Sequence, residues 1–291
     1  MSAVVPPGTS KAGARPVRRA GPLRYLLRRS PIALLLVVTF VLVAVFGPFL
    51  APRSMTEINL AAALQGPNAD YLMGTDALGR DVLSRLIGAT TVAAQSFLIV
   101  VLIGGVFGTA LGLVSGGLGG VLDLIVSRII EVVQGFPTVL VAIVIVALTQ
   151  PSLTNAMIAV GLAAIPDFAR VARGIAIQLR EREFIEAARG LGAGELRILW
   201  DEILPSMVGP LLVVASFDGA QAVLWEAALS FLGLGVQPPS PSFGSMLREA
   251  QDYLGIHPWL AVVTGLSVAV IILGLNLLGD GLSDYFDEAD R

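Results

Sequence analysis

Four polar side chains interrupt apolar stretches of the sequence. Asp218, Gln221 and Glu226 lie within residues 208–232, and Asn276 lies within the last apolar stretch of the chain. Charged groups inside a membrane cost at least ~2.5–3.5 kcal/mol on insertion scales, so they should face a partner helix or a water-filled path. Asp218 and Glu226 are separated by two steps of four residues, which predicts that both carboxylates lie on one side of a helix. Two interpretations stay open: the pair lines a pore, or it is buried against another subunit or near the membrane interface.

The sequence lacks the residues that several kinds of catalysis require. It has no cysteine, which excludes disulfides, thiolate metal sites and cysteine nucleophiles. Its one histidine, His257, argues against a histidine metal cluster or a Ser-His triad. The only lysine is Lys11, so no glycine-rich turn is followed by the lysine that a Walker A loop needs to reach the phosphates of ATP. Any ATP that drives this protein must therefore be bound by another chain.

A long polar segment, residues 170–205, shows helical periodicity. At ~100° per residue, its first helix has an apolar side and a charged side. The apolar side contains Phe184, Ala187, Ala188 and Leu191, and the charged side contains Arg182, Glu186 and Arg189. Gly192 and Gly194 should end this helix, and a second short helix should follow and end at Pro205. The segment is a solvated loop, a helix lying on lipid headgroups, or a docking surface for a cytoplasmic partner.

The composition places these segments in a membrane protein. The chain is 55% hydrophobic and only 14% charged, whereas soluble domains are about 25% charged. Apolar stretches of sufficient length predict an all-α membrane protein with six transmembrane helices, the fourth weakened by Pro166 and Asp167. The stretches lie at about 31–51, 92–115, 124–148, 155–172, 208–232 and 259–279.

The predicted organisation has five parts. A disordered cytoplasmic tail (1–22) precedes the first transmembrane helix (23–51) and an external loop segment (52–89). A core with five further transmembrane helices (90–282) includes the cytoplasmic helix pair at 180–205, and a cytoplasmic tail (283–291) follows. Basic residues cluster before the first helix and between the fourth and fifth, so the positive-inside rule places both termini in the cytoplasm.

Glycines are frequent in two of the predicted spans: Gly104, Gly105, Gly108 and Gly112 in the second, and Gly265 and Gly274 in the sixth. Small residues let helices approach closely in lipid, where little hydrophobic force drives them together. The alternative is that the same glycines make a flexible gate.

Four segments resemble a known family. Glu186-Ala187-Ala188, Gly192 and Leu204-Pro205 resemble the EAA motif of ABC importer membrane subunits, E-A-A-x3-G-x9-I-x-L-P. One position departs from it, because the isoleucine of the motif falls on Glu202, with Ile203 one residue later. Three further stretches, Leu72–Arg85, Ser230–Pro239 and Asn276–Asp284, look like segments of the DppC/OppC-like permeases of dipeptide/oligopeptide transport, which are binding-protein-dependent transport system inner membrane components. The resemblance covers roughly residues 24–288.

The resemblance implies a type I ABC importer permease with a MetI-like fold in a bacterial inner membrane. Glu186, Ala187, Ala188 and Gly192, with Leu204 and Pro205, would form a coupling helix and its support, seated in a cleft on an ATPase subunit. The implied partners are a second, homologous permease (DppB/OppB-like), two cytoplasmic ATPase subunits or domains, an external substrate-binding lipoprotein and the lipid bilayer, with no nucleic acid. The chain itself would hold no cofactor or metal and catalyse no reaction, because ATP and Mg²⁺ belong to the partners.

The substrate and two rival classes stay open at this point. Related permeases handle dipeptides, oligopeptides, haem or nickel complexes, and with a peptide Asp218 or Glu226 would contact the amine. A secondary transporter would use intramembrane carboxylates for ion coupling, but that class leaves the EAA-like segment unexplained. A membrane-integrated enzyme is opposed by the lack of cysteine and by the single histidine.

Overall fold

The computed structural model describes residues 21–289. The predicted disordered tail at 1–22 lies outside this range except for its last two residues, and the last two residues of the C-terminal tail also lie outside it. Within that range, the only β-structure is one antiparallel bridge between Thr75 and Asp81. The helices are α1 (Pro22–Arg29), α2 (Pro31–Leu50), α3 (Val82–Leu118), α4 (Gly120–Gln134), α5 (Thr138–Leu148), α6 (Leu153–Arg180), α7 (Glu183–Gly190), α8 (Glu195–Phe231), α9 (Phe243–Gln251) and α10 (Trp259–Ala289).

Four of these helices, α3, α6, α8 and α10, are each long and apolar enough to cross a membrane. The pairs α1–α2 and α4–α5 meet the same requirement only as bent pairs, with bends of 117° and 84°, and would raise the number of spans to six. The predicted first helix at 23–51 is thus two helices that meet at Ser30. The predicted span at 124–148 is broken between Gln134 and Thr138, because Pro137 has no N–H to continue the helix.

The external segment is shorter than predicted. Its end was expected at residue 89, but α3 begins at Val82, where the Asp81 carboxylate caps the helix by accepting the Ser84 backbone N–H at 2.8 Å. A carboxylate at this position satisfies an N–H that has no partner inside the helix. The fourth predicted span, 155–172, is longer than expected, because α6 runs through Pro166 to Arg180.

The expectation that Pro205 ends a short helix is wrong. Residues Glu195–Phe231 form one helix, α8, and Pro205 lies inside it. A π-helical turn at Leu199–Ile203 precedes the proline. Because a wide turn changes the hydrogen-bond register of the backbone, it accommodates a residue that cannot donate an N–H.

The glycines of α3 let it pack closely against α6. A Cβ atom on Gly108, Gly112 or Gly116 would clash with the backbone carbonyl oxygens of Ile165, Ala169 and Arg173. This contact favours the packing interpretation for Gly108 and Gly112. In α10, Gly274 lies against Leu36 of α2, whereas Gly265 has no atom within 4 Å of its Cβ position, so no close approach involves it.

Candidate functional site

The buried side chain of Ile185 attaches helix α7 to the bundle. Ile185 has no exposed surface and belongs to a buried cluster that includes Ala176 of α6 and Ile198, Ile203 and Met207 of α8. This cluster lies where α6 ends and α8 begins, so α7 is held between two helices that are each long enough to cross a membrane. A rigid movement of α7 would therefore be passed to both of them.

The opposite side of α7 is exposed. Phe184 is 48% exposed and Leu191, just past the end of the helix, is 90% exposed. Glu186 and Ala187 are exposed beside them, whereas Ala188 is half-buried against the Ile185 cluster. Two large apolar side chains on an exposed part of the helix suit docking in a partner's groove, and Glu186 lies on the other flank, about 160° from Phe184 around the helix axis. We call Phe184, Glu186, Ala187 and Leu191 the α7 surface.

Gly192 closes the turn after α7 in a conformation that L-residues rarely adopt. Its φ is +88°, and the backbone N–H of Ala193 donates to the carbonyl of Ala188 at 3.0 Å. This is the glycine-terminated helix end that the sequence predicts. A Cβ at Gly192 would have no atom within 4 Å, so the requirement for glycine here is conformational and not steric.

An ion pair fixes α7 to the start of α8. The Arg189 guanidinium donates from Nε and Nη2 to both carboxylate oxygens of Glu195, at 2.8 and 3.1 Å. This two-point geometry holds the orientation of the guanidinium as well as its position, and it raises the pKa of Arg189. Arg189 was predicted on the charged side of α7; it serves there as a brace across the turn.

Behind the turn is a groove of about 310 Å³. It is lined by the end of α7 and the start of α8, including Ala188, Leu191, Gly192, Asp201 and Glu202. The departure from the EAA pattern falls here: Glu202 is exposed, whereas Ile203 is buried. The π-helical turn places Ile203 on the buried side, so the shifted isoleucine still reaches the core. Leu204 is half-buried and Pro205 exposed, next to the same cluster.

A second candidate region is a polar cavity of about 230 Å³ between α3, α5, α6 and α8. Asp218, Gln221 and Trp225 line it from α8, and Asp167 and Thr138 face them. Asp167 accepts a hydrogen bond from Gln134 Nε2 at 3.2 Å, whereas Oδ2 of Asp218 is buried and has no hydrogen-bond partner among the described residues. The cavity therefore combines two carboxylates, an amide and an aromatic ring.

Glu226 does not share this cavity. It has no exposed surface, and its Oε1 accepts a hydrogen bond from Ser230 Oγ at 2.6 Å. The same Ser230 oxygen accepts the Val236 backbone N–H at 3.0 Å, so Glu226 organises the turn that follows α8. Asp218 and Glu226 are eight residues apart in α8, about 80° around the helix axis, and of the two only Asp218 lines the cavity. Asn276 is half-buried in α10 and does not line the cavity either.

Sequence reasoning missed two charged clusters. Near the predicted outer face, the buried Arg85 lies 3.0 Å from Glu249 of α9 and 3.3 Å from Asp76, and Arg80 is within 2.6 Å of both acids. At the other face, Arg173 of α6 donates from Nε and Nη2 to the two carboxylate oxygens of Asp123 of α4, at 2.5 and 2.8 Å. The sequence analysis noted Asp167 only as an interruption of a span, and a charged residue within a weak span is the signal that could have indicated the cavity.

Comparison with known proteins gives one family. A family described as "Binding-protein-dependent transport system inner membrane component" matches residues 108–289. The dipeptide transport system permease protein DppC of Alkalihalophilus pseudofirmus is 38% identical over 282 residues, which are 97% of this chain and 93% of that protein. The glutathione transport system permease protein GsiD of Pectobacterium atrosepticum is 36% identical over 266 residues, 91% of this chain and 88% of that protein.

A solved structure has a similar fold. The inward-facing MetNI methionine ABC transporter matches with a TM-score of 0.55 at 18% identity, over 68% of this chain and 93% of the matched chain. At this identity the likeness concerns the fold alone.

Proposed function

Because the chain belongs to the family of binding-protein-dependent transport system inner membrane components, we propose that its α7 surface couples it to an ATPase subunit and that its polar cavity forms part of a peptide pathway. The resemblance noted in the sequence is thereby confirmed, and so is the all-α, type I importer permease fold. The chain is a permease subunit of an ABC importer and not an enzyme; ATP hydrolysis belongs to other subunits.

The coupling role rests on the contrast between the two sides of α7. Ile185 anchors the helix to α6 and α8, while Phe184 and Leu191 stay exposed. Exposed apolar side chains of this size on a helix that protrudes from the bundle suit a groove on a partner. Glu186 and Ala187 lie on the docking surface, Ala188 and Leu204 support it from behind, and Gly192 shapes the turn. Pro205 belongs to the helix that would carry the movement into the membrane.

The proposed substrate is a small peptide. The relatives named above are permeases of dipeptide and glutathione transport systems, and the cavity with Asp167 and Asp218 suits the ammonium group that every free peptide carries. Gln221 and Thr138 can hydrogen-bond to its backbone. We assign Asp218 and Gln221 to the pathway, and we assign Glu226 to the support of the outer turn. We assign Asn276 to neither the substrate pathway nor the outer turn.

The proposed assembly has a second, homologous permease to complete the pathway, two ATPase subunits, and an external substrate-binding lipoprotein. No cofactor is assigned to this chain, and ATP and Mg²⁺ would bind the ATPases. Tyr25 of α1 packs against Tyr285 of α10 with ring centroids 5.3 Å apart, which supports N- and C-terminal ends on one side of the membrane. The arginines of α1 and of the α6–α7 region make that side the cytoplasm, and the segment from 52 to 81 is then external.

Reconstitution tests the proposal. The purified permease pair, with and without its ATPase subunits, is placed in vesicles with the external binding protein, and uptake of labelled dipeptide is measured. We expect uptake only with the ATPases and ATP, and loss of uptake in Glu186→Lys with normal membrane insertion. Uptake by the permeases alone would support a secondary transporter, and full uptake by Glu186→Lys would contradict the coupling role.

A further inference from the structure

We propose that α1 is an interfacial helix that holds anionic phospholipid headgroups with Arg24 and Arg28 at the cytoplasmic face of the membrane. The proposal uses the orientation given above but not the transport activity. It concerns a surface of eight residues that the pathway and the coupling role leave unused. Four observations on α1 support it: its angle to α2, its anchored side, its exposed leucines and two arginines that form no ion pair within residues 21–289.

The angle places α1 along the membrane surface. α2 begins at Pro31, and α1 ends two residues earlier, so α1 starts where the membrane span ends. The two helices meet at 117°, which is much nearer a right angle than a straight continuation. With α2 crossing the bilayer at an ordinary tilt of about 20°, α1 is inclined to the membrane plane by roughly 7° to 47°, so it runs along the headgroup region and does not continue the span.

One side of α1 is fixed to α10. Leu26 is buried against Gly281, where a Cβ atom would lie 2.8 Å from the Leu26 side chain. Tyr25 packs edge-on against Tyr285, and Arg29 lies 3.9 Å from Glu288. These contacts hold α1 at a defined rotation about its axis, so the direction of its other sides is also defined.

The remaining apolar side chains are exposed in a pattern that suits lipid. Leu23 and Leu27 are 62% and 55% exposed, and at a spacing of four residues they lie one above the other on the helix. Within the described part of the chain, no helix covers them. A helix with a basic side and an apolar side inserts its apolar side at the boundary between headgroups and acyl chains.

The basic side lies directly beside these leucines. Arg24 and Arg28 also have a spacing of four residues and are both exposed. Among residues 21–289, neither has a carboxylate within 4.0 Å, in contrast to Arg29. Guanidinium groups bind phosphate oxygens through paired hydrogen bonds, and the cytoplasmic leaflet is the one that carries anionic lipid. Arg24 and Arg28, at the membrane surface, are therefore suited to bind the phosphate of an anionic phospholipid.

The depth of α1 can be measured with a single spin label, because the chain has no cysteine of its own. Leu27→Cys is labelled with a nitroxide in the assembled transporter and placed in vesicles of phosphatidylethanolamine and phosphatidylglycerol. We expect more collisions with oxygen than with a water-soluble nickel chelate. A label at Ser54→Cys, which is exposed on the external segment, should show the reverse. A Leu27 label that collides mainly with the chelate, as in water, or with neither reagent, as under a docked protein, overturns the proposal.

Lipid retention tests the arginines. The Arg24→Gln/Arg28→Gln variant should retain phosphatidylglycerol at least about fivefold less than the parent in native mass spectrometry, since one arginine near an anionic surface contributes about that factor. The Arg182→Gln/Arg197→Gln variant changes the net charge equally and should retain it normally. Equal retention in all three proteins, or an equal loss in both variants, contradicts the proposal. ATP-driven uptake is a separate readout, so failure here leaves the proposed function untouched.

Discussion

Phe184 and Ile185 are neighbours in the chain but face opposite environments: Ile185 has no exposed surface, and Phe184 is 48% exposed. One residue attaches α7 to the transmembrane helices, and the next belongs to the α7 surface. Anchoring and docking are therefore separable by substitution at adjacent positions.

Ile185→Ala should destabilise the permease itself. Truncation of a fully buried isoleucine costs about 2–5 kcal/mol, whereas Phe184→Ala at an exposed position should change the free energy of unfolding by less than ~0.5 kcal/mol. Phe184→Ala should instead weaken association with the ATPase subunits by about five- to thirtyfold, since aromatic anchors dominate interfaces. Thermal unfolding in detergent and co-purification measure the two effects. Equal effects of both variants on both readouts would refute the separation.

Gly192→Ala should impair uptake although it creates no clash. The left-handed backbone conformation costs roughly 1–2 kcal/mol for a residue with a Cβ atom, and the turn that positions Leu191 depends on it. Gly190→Ala is the matched control, because it also meets no atom within 4 Å but lies in helical conformation. ATP-driven uptake should fall only in Gly192→Ala, and Gly192→Asn should be intermediate. A similar fall in the Gly190 variant would assign the effect to volume.

Asp218→Asn should slow peptide transport without changing assembly. The substitution keeps the shape of the side chain but removes one of two negative charges from the cavity, so a peptide ammonium would be held less well. We expect a loss of several-fold in uptake rate, with ATPase binding and thermal stability unchanged. Asp252→Asn removes the same charge from an exposed position of the outer region and serves as control. Parent-like uptake in the Asp218 variant would remove this residue from the pathway.

Arg85→Gln should loosen the external segment. Arg85 is buried between Asp76 and Glu249, and removal of one partner from a buried ion pair costs about 3–5 kcal/mol because the remaining charges lose their compensation. Limited proteolysis should cut within residues 52–81 much faster than in the parent. The Arg128→Gln variant, in which an ion pair on an exposed surface is broken, should be cut at the same rate as the parent. Equal protection of both variants would show that Arg85 does not hold this segment.

The sequence predicted local features well and tertiary ones less well. The glycine turn at Gly192 that follows α7 can be predicted from a few adjacent residues, and the structure has it where expected. Pro205 misled the prediction because a proline is compatible with a helix when a π-helical turn precedes it, and that turn is not visible in the pattern of apolar residues. The cavity depends on how α6 and α8 face each other. The sequence alone therefore could not predict that Asp167 and Asp218 line the same cavity.

Photo-crosslinking from Ala187 tests the central claim most directly. A benzophenone attached to Ala187→Cys in the cysteine-free chain lies on the α7 surface, and one attached to Ser54→Cys lies on the external segment. In the assembled transporter in vesicles, irradiation should join the label at 187 to an ATPase subunit in high yield and the label at 54 to none. Absence of an ATPase adduct from position 187, with the complex intact and competent for uptake, would contradict the account.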